Sequence, residues 1–172
     1  MLSRINILKI IKDHFNTLNN INKVNGGMTF WDCFGFLILP AALSCYLCTT
    51  SLDFNSHLSD LITSISILGG FLFNLLAVIY GLMDKIQRDL QLQAENSLKK
   101  TFVKQIHINI SFNILLSIFL IVILVIYPHF KCLNSLVDLI FRFSISFLLL
   151  LFLLTILMVL NRIYIILKKD VN

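Results

Sequence analysis

The chain has 172 residues, of which 58% are hydrophobic and only 13% charged, and its mean hydropathy is +0.88. A soluble domain usually takes ~100 residues, and no polar stretch here approaches that length, so an enzyme housed in an aqueous domain is excluded. The net charge of +5 comes from Lys and Arg flanking apolar runs, which marks membrane topology rather than a nucleic-acid footprint, although anionic headgroups also favour it.

In chain order, residues 2–22 read as an amphipathic helix. Ile7, Leu8, Ile11, Phe15 and Leu18 recur at helical spacing, with Lys9, Lys12, Asp13 and Asn16 largely opposite. Lys9, Lys12 and Asp13 interrupt the apolar run and no small-residue cleavage site follows, so it lacks the core of a secretory signal. The expected position is flat on the inner membrane face, as an anchor or a docking element. Asn25-Gly26-Gly27 ends it with a turn, and Thr29 fits as the N-cap of the next helix.

Four apolar runs follow, at 30–49, 61–83, 108–127 and 139–167. Each is long enough to cross a ~30 Å hydrocarbon core as a helix of about 20 residues. The predicted fold class is all-α: a polytopic membrane protein with a four-helix transmembrane bundle. In the first run Asp32 fits a helix N-terminal acid beside the interfacial aromatic Trp31, and Pro40 predicts a kink near the middle. In the second, Ser66, Gly70 and Asn74, then Ala77 and Gly81, are spaced four apart, placing small or polar residues along one side.

Residues 84–107 are too short for a domain and too regularly patterned for a loose loop. Ile86, Leu90, Leu98, Phe102, Val103 and Ile106 recur at helical intervals among charged and amide residues. The second and third spans are therefore expected to continue into the cytoplasm as a helical hairpin, turning near Glu95-Asn96-Ser97. About ten residues per arm would project ~15 Å, giving either a solvated hairpin or a surface for a cytosolic protein partner. Lys85, Arg88, Lys99, Lys100 and Lys104 are its candidate contacts.

The third span carries Asn109, Ser111, Asn113 and Ser117 in its inner half, and Asn74 and Asn113 are expected at similar depth. Gly70, Asn74, Asn113 and Ser117 are thus the candidates for oligomer packing or a pore lining, with hydrogen-bonded packing inside the bundle as the plainer reading. Neither span has a charge at its centre, which argues against a proton pump. The fourth span contains Arg142, four residues after Asp138, so the two can pair on the helix face or Arg142 can serve the headgroup region.

Of the 14 basic residues, all but Lys131 and Arg142 lie in the N-terminal segment, in the middle segment or, as Arg162, Lys168 and Lys169, toward the C-terminus. Both termini are therefore expected in the cytoplasm, with short outer loops at 50–60 and 128–138. The scattered His14, His57, His107 and His129 have no ligand spacing, and there is no phosphate loop or nucleophile motif. No enzyme activity, metal or cofactor is expected.

Two resemblances attach to these residues. Cys45-Tyr46-Leu47-Cys48 at the outer end of the first span is similar to the C-x-x-C of quinone-linked thiol oxidases of the disulfide-forming pathway, implying electron exchange with quinone. That family has a second pair in a long outer loop, where this chain offers only Cys132, with Cys33 at the opposite end of the span; inert thiols are the alternative. Over nearly its whole length, from Arg4-Ile5-Asn6-Ile7-Leu8-Lys9 to Met83-Asp84-Lys85-Ile86-Gln87-Arg88, the architecture resembles the small four-helix membrane components of bacterial antiphage defence systems, in particular the membrane subunit of the Kiwa system. The resemblance implies a homo-oligomer in the bacterial inner membrane that senses envelope perturbation and works with a cytosolic effector. A pore that depolarises the cell is the competing expectation.

Overall fold

The computed structural model describes residues 6–18, 34–50, 54–88, 95–130 and 135–171; for residues 55, 85–88, 95–99 and 166–171 it describes the backbone alone. Among the described residues the ordered elements are all helical. Helix α1 is Ile7–Thr17. Helix α2 joins a π-helical turn, Phe34–Ile38, to an α-helical segment, Leu39–Thr49. A 3-10 turn at Phe54–His57 leads into α3, Leu58–Arg88; α4 is Glu95–Phe130 and α5 is Ser135–Val171.

Three helices are long and apolar enough to cross a membrane, over Leu58–Asp84, Lys100–Phe130 and Ser135–Ile165. In hydrocarbon the backbone must satisfy its own hydrogen bonds, and Leu- and Ile-rich helices do so internally. The first expected span, 30–49, is described only from Phe34. Its five π-helical and eleven α-helical residues are shorter than a typical crossing. Pro40 has no N–H and its ring crowds the carbonyl four residues back, at Phe36; the wide π-helical turn immediately before it absorbs that conflict. The irregularity at Pro40 takes the form of this π-helical turn.

Helix α4 is central, packing against α3 on one side and α5 on another, while α1 lies across α4 and α2 lies against α5. The reason is visible in its buried positions: Val103, Ile106, Ile110, Asn113, Ser117, Leu120, Leu124 and Tyr127 follow one another in alternating steps of three and four. Its neighbours answer with residues seven apart, Ile65, Leu72 and Ile79 from α3 and Ile145, Phe152 and Val159 from α5. A seven-residue repeat keeps one seam in contact at a shallow crossing of ~20°.

Helix α3 continues to Arg88 and α4 starts at Glu95, beyond the apolar runs 61–83 and 108–127 read from the sequence. Glu95, Asn96 and Ser97 form the first turn of α4 instead of the turn between the arms, and the connection, 89–94, lies outside the described residues. The expected Thr29 cap, Asp32 with Trp31, and the Asn25-Gly26-Gly27 turn also lie outside them.

Candidate functional site

The densest polar arrangement joins α1 to the bundle. Asn6 caps α1 by accepting a hydrogen bond from the Lys9 backbone N–H at 3.1 Å. Ile10, Ile11, His14, Thr17 and Leu18 then face inward, while Leu8 and Lys9 stay exposed. The inward face is rotated from the expected stripe: Leu8 is 79% exposed, and His14 and Thr17 occupy the buried positions.

His14 is fully buried, its ring stacked on Phe112 with centroids 3.8 Å apart and planes 8° from parallel. Its Nδ1 lies 2.9 Å from Asn109 Oδ1, an acceptor, so the neutral ring carries its proton on Nδ1. The Thr17 hydroxyl sits 2.8 Å from that same oxygen and 2.7 Å from the His14 carbonyl, sharing its proton between them. Arg162 of α5 completes the group, its Nη2 donating to the Thr17 carbonyl at 2.7 Å. The guanidinium thereby satisfies an orphan carbonyl at the C-terminal end of α1, where the helix dipole favours a cation.

Three helices thus meet in one polar latch. Burial holds the His14 imidazole neutral, lowering its pKa from 6.5 to about 4; the hydrogen bond to Asn109 opposes this and the nearby Arg162 charge reinforces it. His14 Nε2, Asn109 Nδ2 and Arg162 Nη1 are buried without a partner among the described residues. This set can hold or release a helix, but it includes no nucleophile with a base in reach.

The residues expected to matter are distributed as follows. Asn113 and Ser117 are buried in the α4 seam; Ser117 Oγ donates to the Ile114 carbonyl, whereas neither polar atom of the Asn113 side chain has a partner among the described residues. Gly70 and Asn74 face outward from α3, so the structure does not bring Asn74 to Asn113. The close approach between these helices is made instead by Gly69, where an added Cβ would lie 3.0 Å from Ser117 Oγ; at Gly70 it would meet nothing. Lys100 and Lys104 are exposed on α4, and the side chains of Lys85, Arg88 and Lys99 lie outside the description.

Cys45 and Cys48 are free thiols, the first exposed and the second half-buried, while Cys33 and Cys132 lie outside the described residues. Among the described residues no group of three His, Cys, Asp or Glu is placed to hold a metal. The Asp138–Arg142 pair forms, at 3.5 Å, and buried Tyr127 donates to the other Asp138 oxygen at 2.9 Å.

The latch residues carried signals in the sequence. His14 interrupts the apolar series Ile7, Ile11 and Leu18 at a position where an apolar residue is expected, and Arg162, like Arg142, sits inside the fourth apolar run, although only Arg142 was read as a charge within it. Three comparisons of the chain, with protein-family models, with curated proteins and with solved structures, find no match to it.

Proposed function

We propose that this chain is a small homo-oligomeric protein of the bacterial inner membrane that senses perturbation of the bilayer and relays it to a cytosolic effector, in the manner of the membrane components of antiphage defence systems. The observation that carries the reading is the polar latch: His14 and Thr17 of α1 are tied to Asn109 of α4 and Arg162 of α5. A rearrangement between two apolar helices necessarily alters the hold on α1, and packed interfaces of this kind switch between discrete arrangements rather than deform smoothly. Such a device transmits a state of the bundle to a helix outside it.

Oligomerisation is supported by the outer face of α3. The exposed Asn74 amide stands among Phe71, Phe73 and Val78, and lipid tails cannot satisfy it. A neighbouring subunit can. The partner surface is assigned to the basic end of α4, where Lys100 and Lys104 are exposed.

The test is native mass measurement of the tagged protein extracted in mild detergent after expression with its neighbouring genes. The expected result is an oligomer carrying a soluble protein, with binding at least tenfold weaker when Lys100→Glu and Lys104→Glu are combined. Undiminished binding by that variant would remove the partner surface from the proposal.

A second reading, a depolarising pore, is favoured by Asn113, an amide buried in the seam with both polar atoms unpaired among the described residues. Together with Asn109 and Ser117 it makes a polar line along α4, four residues per step. Ion flux from liposomes containing the purified protein, abolished by Asn113→Leu, is the expected outcome of that reading; tight liposomes under every activating condition would sink it.

A further inference from the structure

Beside the latch, between α1 and the first turns of α4, lies a cavity of about 330 Å³ lined by Asp13, Asn16, Thr17, Thr101, Lys104, Gln105 and Ile108. Its size falls at the lower end of small-ligand sites, ~300–1,000 Å³. The lining is unusual for the edge of an apolar helix, because it carries one carboxylate, one ammonium and two side-chain amides. Asp13 comes from α1 and Lys104 from α4, and no ion pair between them occurs among the described residues. Gln105 Oε1 is buried there without a donor. The wall therefore presents two acceptors, Asp13 and Gln105 Oε1, that call for a hydrogen-bond donor, and a cation, Lys104, that calls for an anion.

We propose that this cavity binds a phosphate-linked primary ammonium, the headgroup chemistry of phosphatidylethanolamine, with the ammonium toward Asp13 and Gln105 and the phosphate toward Lys104. A ligand of both signs matches the two walls at once, whereas a purely anionic headgroup brings charge against Asp13 and a purely cationic one against Lys104. The position agrees with the sequence: Lys104 lies one turn before the apolar run 108–127, where a long cationic side chain reaches the headgroup layer. Ile108, one turn further along α4, supplies the apolar floor from which acyl chains would continue. Thr17 belongs to both the cavity and the latch, so occupancy stabilises α1 in its docked position. The inference rests on the sensor reading and extends it by naming a lipid that holds the latch closed; because Lys104 also belongs to the assigned partner surface, the site is tested through Asp13 and Gln105.

The experiment uses the full chain in nanodiscs whose zwitterionic component is phosphatidylethanolamine or its trimethylated counterpart, phosphatidylcholine, with phosphatidylglycerol discs as the anionic control. Retained lipid is counted by native mass spectrometry, and α1 docking is read by hydrogen exchange at residues 10–17. The expected result is retention of the ethanolamine lipid at least tenfold above both others, with slower exchange in α1. Trimethylation keeps the positive charge but removes the N–H donors that Gln105 Oε1 and Asp13 require, so this comparison needs no variant. Asp13→Asn and Gln105→Leu are each expected to lower retention several-fold while leaving the melting temperature in phosphatidylglycerol discs unchanged. O-phosphoethanolamine added to lipid-free detergent samples separates the sources: protection by it assigns the site to a soluble ligand of the same chemistry, and protection by lipid alone assigns it to the bilayer. Equal retention of the three lipids with no protection by the soluble compound overturns the proposal, and loss of the partner in a separate co-purification would not.

Discussion

His14 is neutral in the docked helix because imidazolium would lose its hydration on burial and would lie near the Arg162 charge. The undocked helix protonates near the ordinary value of 6.5, and the docked one only near 4. Above pH 6.5 both forms are neutral and docking is independent of pH. As pH falls from 6.5 toward 4 the undocked form takes up a proton that the docked form refuses, so docking weakens, by about 3 kcal/mol over the whole interval. A fluorophore at exposed position 8 is expected to report release of α1 in that window, and His14→Phe, which keeps the ring against Phe112, is expected to flatten the response. A wild-type profile flat from pH 7 to 4 would contradict the buried neutral imidazole. Asn113 has the opposite character. Its unpaired amide in the α4 seam destabilises, so Asn113→Leu is expected to raise resistance to denaturation by about 1–3 kcal/mol; a loss of activity accompanying that gain would identify the amide as retained for function.

Between elements, the α3–α4 contact turns on a single residue step. Gly69→Ala places a methyl 3.0 Å from Ser117 Oγ, whose hydrogen bond to the Ile114 carbonyl fixes its rotamer. Moving the hydroxyl costs about 1 kcal/mol, which offsets the ~1 kcal/mol that alanine gains over glycine in a helix. At Gly70 nothing is met, so Gly70→Ala keeps the full gain. The expected order in thermal unfolding is therefore Gly70→Ala above Gly69→Ala, with the gap closed when Ser117→Ala is added. The small-residue series read from the sequence through Ser66, Gly70 and Asn74 lies on the outward side of α3. Four-residue spacing locates a stripe without saying which way it faces, and in lipid an apolar residue is equally at home on either side, so hydropathy gives no orientation. What did carry orientation was the three-four alternation of α4, which includes Asn113 and Ser117 and places them inward. The α1 latch was hidden for a related reason: its bonds join residues 92 and 95 positions apart, and no local pattern encodes such a pairing.

At the scale of the whole molecule, the all-helical architecture of the described residues and three helices long and apolar enough to cross a membrane followed from hydropathy, since a bilayer accepts few alternatives. The run at 30–49 is described from Phe34 onward, with a π-helical turn immediately before Pro40. The exposed amide of Asn74 predicts assembly: Asn74→Leu is expected to shift the native mass toward smaller species, and an unchanged oligomer would place the interface elsewhere. Helix α1 has a further consequence for that assembly. Its inward-facing Ile11 and Leu18 also belong to the stripe through which an amphipathic helix would insert among lipid headgroups. One side of a helix cannot be in two places, so bilayer and bundle compete for it, and docking is set by a difference between two affinities. On the sensor reading proposed above, loosened lipid packing, which strengthens interfacial insertion, is expected to draw α1 away from α4 and break its bonds to Asn109 and Arg162. On that reading the helix would act as a partition gauge, its bound fraction following the state of the bilayer.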